Sequence, residues 1–75
     1  MLNAELVEQI IQRKREQKKL SQEVVSGLAG IGRTHLSAIE RGESKPTLET
    51  FFKIAEALNV RPSVLMEEIE EELNK

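Results

Sequence analysis

The 75-residue sequence has no cysteine, no tryptophan and no tyrosine, and only two prolines and two phenylalanines. Without cysteine there is no disulfide, no zinc finger and no thiol nucleophile. Aspartate is missing too, since all thirteen acidic residues are glutamate, and this excludes an EF-hand loop. The one histidine, His35, has no Asp or Cys in the chain to orient it or to share a metal. Catalysis needs a nucleophile, a base and an orienting group, so we expect no catalytic residue, no metal site and no cofactor. No run of 18 apolar residues occurs, and the first residues lack the basic start and apolar stretch of a signal peptide. The chain therefore reads as cytoplasmic, with no membrane partner.

What is present is the composition of one small domain, residues 1–75, with an aliphatic core: 39 % of residues are hydrophobic and 3 % aromatic. A chain of this size buries only about 60 % of the surface that its unfolded form exposes, which makes self-association a source of added stability. The net charge of −2 hides an uneven distribution. Residues 1–45 carry 8 basic and 6 acidic groups, whereas residues 46–75 carry 3 and 7, so the acid is gathered at the C-terminal end.

Hydrophobic spacing divides the chain into five helices and no strand. Leu6, Val7, Ile10 and Ile11 mark a first helix over residues 3–18, with Asn3 as its N-cap and Lys18 and Lys19 suited to its negative end. Ser21 and Glu23 start a second helix, continued by Val24 and Val25 and kept short by Gly27, Gly30 and Gly32. Gly30 fits a position of positive φ, where a Cβ would clash. A third helix of about nine residues begins at Arg33, turns Leu36 and Ile39 inward and Arg33, Thr34, Ser37 and Arg41 outward, and stops at Gly42. After the loop of residues 42–46, Thr47 caps a fourth helix with the apolar stripe Leu48, Phe51, Phe52, Ala55 and Leu58, and Asn59 suits its C-terminal end. Pro62 suits the first turn of a fifth helix, whose apolar positions are Leu65, Met66, Ile69 and Leu73.

A short helix, a glycine-containing turn and a second helix with a polar outer face make a helix-turn-helix, here about residues 22–41. Val25, Ala29, Gly30, Ile31, Leu36 and Ile39 fall where steeply crossed helices need small or branched contacts and a turn residue that tolerates the left-handed region. Residues 11–65 resemble the Cro/repressor-type (XRE) helix-turn-helix family. The landmarks, in order, are Arg15, Leu20-Ser21-Gln22-Glu23, Gly30-Ile31, Ile39-Glu40-Arg41-Gly42, Pro46-Thr47-Leu48 and Ala57-Leu58-Asn59-Val60. Within that family, the decapeptide from Arg33 to Gly42 is most similar to the controller proteins of restriction–modification systems. The chain departs from the family pattern at Ser26, where Ala is usual, at Gly32, where a capping Ser, Thr or Asp is usual, and at His35, where the controller proteins usually have Tyr.

The resemblance implies an all-α, five-helix, lambda-repressor-like DNA-binding domain. In this motif the outward N-terminal part of the third helix enters the major groove, so Arg33, Thr34, Ser37 and Ala38 are the candidate base contacts. Gln22, His35, Arg41, Ser44 and Lys45 are the candidate phosphate contacts. The basic run Arg13, Lys14, Arg15, Lys18 and Lys19 is scattered round the first helix by its spacing, and the resemblance pairs Arg15 with Glu40 as an ion pair joining the first and third helices. Glu67, Glu68, Glu70, Glu71 and Glu72 read as a solvated face that repels DNA. Phe52, Val60, Leu65, Met66, Ile69 and Leu73, in a region of about residues 48–73, supply more apolar surface than so small a chain can cover and are the candidate homodimer interface.

The resulting expectation is a sequence-specific transcription regulator on a double-stranded DNA operator of dyad symmetry, with one or two dimers per operator. By resemblance to the controller proteins, it would activate its own operon at low occupancy, with RNA polymerase as a further partner, and repress it at high occupancy. A phage-type repressor and an antitoxin autoregulator are the alternatives within the family, and a helical protein-binding adaptor is the alternative outside it. An adaptor has no need of Gln22, Arg33, Thr34, Arg41 and Lys45 on one side.

Overall fold

A computed structural model describes residues 4–75, and Asn3, the expected N-cap of the first helix, lies outside them. The described residues contain the five helices and no strand: α1 (Ala4–Gln17), α2 (Gln22–Ala29), α3 (Arg33–Glu40), α4 (Leu48–Ala57) and α5 (Pro62–Leu73). No helix among them is long and apolar enough to cross a membrane. The starts follow from local chemistry. Ser21 and Thr47 accept hydrogen bonds from the amides of Val24 and Thr50, each at 3.1 Å, satisfying donors that have no partner within the helix. Gly32 opens α3 without a side-chain bond, and Pro62 opens α5.

The first four helices end by one device. A residue in the left-handed region follows each: Lys19 (φ 58°), Gly30 (φ 70°), Gly42 (φ 75°) and Asn59 (φ 58°). The next amide then reaches back to a carbonyl five residues earlier: Leu20 to Arg15 at 3.1 Å, Ile31 to Ser26 at 3.0 Å, Glu43 to Ala38 at 2.9 Å and Val60 to Ala55 at 3.0 Å. This is the Schellman arrangement, in which the residue making the return bond is commonly apolar and packs back on the helix. Leu20, Ile31 and Val60 do so, lying partly buried against the core. Glu43 is exposed.

The core joins all five helices through Val7, Ile10, Ile11, Val25, Ala29, Leu36, Ile39, Phe51, Ile54, Ala55, Leu58, Leu65 and Ile69. Helix α2 packs against α4 and α3, and α1 packs against α3 and α5. Three sequence assignments are corrected by this packing. Leu65 and Ile69, expected at a dimer interface, are 0 % and 2 % exposed and belong to the core of the single chain. Leu48, which the apolar stripe of the fourth helix would turn into the core with Phe51, Ala55 and Leu58, is 67 % exposed. At about 100° per residue, the buried arc of α4 centres between Phe51 and Leu58, with Ile54 on its far side. Leu48 lies about 70° round from that centre, on the first turn, and Phe52 about 110°. On α5 the same arithmetic puts Leu65 and Ile69 on one side of an apolar arc of about 100° and Leu73 and Met66 on the other, and only the first side is buried.

Two sets of charges tie the helices together. Lys14 meets Glu68 at 3.0 Å and Arg13 meets Glu72 at 3.7 Å, so part of the acidic face of α5 neutralises the basic run of α1 and is not simply solvated. Deeper in, the Arg15 guanidinium donates to Glu40 through Nε at 2.8 Å and Nη2 at 2.9 Å, and through Nη1 to the carbonyl of Leu20 at 2.7 Å. The Gln22 amide donates to the same carboxylate at 3.0 Å. The Arg15 and Glu40 side chains are 12 % and 2 % exposed, and hydrogen bonding to Glu40 raises the Arg15 pKa despite burial.

Removing one member of such a pair strands the other charge away from water, at a cost of about 3 kcal/mol. A 75-residue chain has only about 4–11 kcal/mol in total. Glu40→Ala is therefore expected to lower the midpoint of urea denaturation, followed by circular dichroism, by about a quarter to three quarters, and an unchanged midpoint would show the pair to be incidental. Gly27 lies inside α2 with nothing within 4 Å of the position a Cβ would take. Gly27→Ala is expected to add about 0.5–1 kcal/mol, read as a rise of several degrees in Tm.

Candidate nucleic-acid interface

The turn between α2 and α3 places two helix starts on one side of the molecule. Gln22 is the first residue of α2, and Arg33 and Thr34 open α3. Leu36 and Ile39 anchor the inner face of α3 at 0 % exposure. This leaves Arg33, Thr34 and His35 exposed, with Ser37 and Ala38 half-buried. Gln22, Arg33, Thr34, Ser37 and Arg41 line one open depression of about 190 Å³. Five side chains from two helices and a helix end thus converge on a shallow polar concavity, which suits a flat or convex polar partner better than a small apolar ligand.

Within that depression the cations differ in freedom. Arg33 carries a guanidinium at the exposed start of α3. The Arg41 guanidinium is held by the Glu43 carboxylate, Nε to Oε2 at 2.7 Å and Nη2 to Oε1 at 3.2 Å, and its Nη1 donates to the Ser37 hydroxyl. Hydrogen bonding to Arg41, and then its charge, holds the Glu43 carboxyl below the usual carboxylate range. The same contacts raise the Arg41 guanidinium further. Gln22 is committed through its amide nitrogen to Glu40, so the depression is wired directly to the Arg15 ion pair beneath it.

Not every candidate residue gathers there. His35, Ala38, Ser44 and Lys45 lie outside the lining of the depression. Lys45 instead borders a separate groove of about 220 Å³ beside Val7, Leu48, Phe51, Met66 and Ile69. Among the candidate interface residues of the C-terminal half, Phe52, Met66 and Leu73 are 51 %, 41 % and 39 % exposed. Phe52 and Val60 line a third concavity, of about 320 Å³, with Asn59 and Pro62. Two features escaped the sequence reading. Glu43 is one, signalled only by an acid two residues beyond Arg41 across a glycine. The other is the outward pair Val24 and Leu28, 46 % and 67 % exposed at i, i+4 spacing on α2.

Comparison with known proteins gives this geometry a context. The chain is 42 % identical over 48 residues to an uncharacterized HTH-type transcriptional regulator, y4dJ, of Sinorhizobium fredii, a match spanning 64 % of this chain and 62 % of that protein, less than two thirds of its length. It is 37 % identical over 65 residues to the ImmF control region 10 kDa protein of Bacillus phage phi105, covering 87 % of this chain and 72 % of that one. Among solved structures it is similar to the restriction-modification controller protein C.AhdI of Aeromonas hydrophila, with a TM-score of 0.79 and 32 % identity over 83 % of this chain and 94 % of the other. It is also similar to the controller protein C.Esp1396I, seen as a tetramer in complex with its natural 35 base-pair operator. There the TM-score is 0.88 at 28 % identity, over 96 % of this chain and 95 % of the other. The family model described as helix-turn-helix matches residues 11–65, well over half of the sequence, and with α2, the Gly30 turn and α3 in the arrangement just described, this chain belongs to the helix-turn-helix family.

Proposed function

We propose that this protein is a sequence-specific transcription regulator of the restriction–modification controller type, acting in the cytoplasm as a homodimer on double-stranded DNA. The observation that carries the reading is the convergence of Gln22, Arg33, Thr34, Ser37 and Arg41 on one exposed concavity at the starts of α2 and α3. Likeness to a controller protein solved on its operator supports it. The chain acts as one unit, with residues 22–41 presented to DNA and residues 48–73 carrying the dimer face. Arg33 supplies a planar fork matched to guanine O6 and N7, and Thr34, Ser37 and Ala38 offer hydroxyl or methyl contacts to base edges. Gln22, His35, Arg41, Ser44 and Lys45 hold phosphates and set register. Arg15 and Glu40 act beneath this surface as a structural pair. No step in this reading is catalytic, and none calls for a metal or cofactor.

The dimer face is revised by the packing. With Leu65 and Ile69 in the core, the available apolar surface is Phe52, Val60, Met66 and Leu73, to which Leu48 is added. Leu48 lies one turn from Phe52 on α4 and shares a groove with Met66, and Phe52 shares a concavity with Val60. A two-fold axis through this surface would set two copies of α3 about 34–36 Å apart, one turn of DNA, and require matching half-sites. The phage relative supports a second reading, a phage-type repressor. Adjacent methyltransferase and endonuclease genes would favour the controller, and a phage immunity region the repressor.

Operator affinity is expected to fall about 10³-fold or more between about 50 and 200 mM salt, because a dimer gripping six or more phosphates releases that many counterions. In the same titration Arg33→Ala is expected to weaken the operator by about 1–3 kcal/mol and leave random DNA almost unchanged. Salt-insensitive binding, or equal losses on both DNAs, would refute the division between base and phosphate contacts. Phe52→Glu combined with Met66→Glu is expected to give a folded, helical monomer by sedimentation, with operator binding greatly weakened. A variant that stays dimeric would move the interface elsewhere.

A further inference from the structure

We propose that Glu43 is a built-in stand-in for a DNA phosphate: it occupies the Arg41 fork in the free protein and must be displaced before Arg41 can clamp the backbone. This rests on the reading of α3 as the DNA-facing helix. Three observations meet at this residue. Glu43 is the residue after the left-handed Gly42, and its amide returns to the Ala38 carbonyl at 2.9 Å, which fixes its backbone at the end of α3. In the three equivalent helix ends that position holds Leu20, Ile31 or Val60, each packed against the core. Here it holds a carboxylate, turned outward onto Arg41.

The contact also has the form of the complex it would replace. Arg41 donates through two nitrogens to the two oxygens of Glu43, the two-pronged geometry that a guanidinium offers equally to carboxylate and phosphate. The Ser37 hydroxyl takes the remaining edge of the fork, so Arg41 is oriented toward the depression and neutralised there. The Arg41 and Glu43 side chains are 52 % and 61 % exposed. Exposed ion pairs are weak and are screened by salt, and weakness is what exchange requires: a buried pair would keep Arg41 from DNA, whereas this one can be exchanged for a backbone phosphate, a single anion like Glu43 but one of a dense row of them on the duplex. Glu43 therefore sets the threshold of phosphate grip, acting on DNA only through Arg41.

A double-mutant cycle tests this on a random-sequence duplex of about 20 base pairs at about 100 mM salt. Wild type, Glu43→Gln, Arg41→Gln and the double variant are titrated, with helicity checked by circular dichroism. Glu43→Gln is expected to tighten binding about two- to fivefold per bound chain and Arg41→Gln to weaken it. In the Arg41→Gln background, the Glu43→Gln gain is expected to disappear. An equal gain in both backgrounds would mean that Glu43 acts by general repulsion, and no gain in either would mean that it does nothing to DNA; both overturn the proposal while leaving the DNA-binding reading intact. If wild type binds neither this duplex nor one with dyad symmetry at low salt, the underlying reading has failed, and this proposal with it.

Discussion

The Glu40 carboxylate is the point on which the rest of the fold turns. It is 2 % exposed and would be ruinous alone, yet it receives two hydrogen bonds from Arg15 and one from Gln22. Arg15 spends its remaining prong on the Leu20 carbonyl, at the corner between α1 and α2. One buried charge thereby fixes the end of α1, the entry to α2 and the last turn of α3 with respect to one another. Burial of an ion pair brings little net stability, because desolvation offsets the attraction. What it brings here is directed contact: the fork joins the end of α1, the entry to α2 and the last turn of α3 through hydrogen bonds of 2.7–3.0 Å. Gln22 belongs both to this network and to the polar depression, so the geometry of the exposed interface is inherited from the buried charge.

The helix ends do comparable work by local means. Four successive left-handed residues, each followed by a returning amide, stop the helices within a turn and send the chain off at steep angles. Two of the four are glycines and one is asparagine, the residues that take this conformation with least strain. Lys19 is the exception and accepts some strain, which the packing of Leu20 against the core offsets. Because α2 and α3 have only 8 residues each, neither would persist alone in water. They exist because their ends are capped and their inner faces are covered.

Charge is arranged with the same economy. Lys14 and Arg13, which on the sequence could have joined a nucleic-acid surface, are turned toward Glu68 and Glu72 of α5. Arg33 at the start of α3 stands outside these ion pairs, as do Lys18, Lys19, Lys45 and Arg61.

The sequence by itself determined the number and order of the helices. Their signals are local: apolar spacing along each segment, Ser21 and Thr47 at helix starts, Pro62 in a first turn, and Gly30, Gly42 and Asn59 at helix ends act within a few residues of chain. The outward placement of Arg33 and Thr34 was legible too, because Leu36 and Ile39 fix which side of α3 faces in. Only the tertiary structure decided which apolar residues are core and which are surface. Leu48, Leu65 and Ile69 were misplaced because an apolar stripe records which side of a helix is wet, while the centre of the buried arc is set by the neighbour that packs there. The capture of Arg41 by Glu43 was likewise invisible, since two residues separated by a glycine have no fixed relation until φ of that glycine is known. Periodicity reports how a helix meets water, and the identity of the group it meets across a gap is decided only when the other helices are in place.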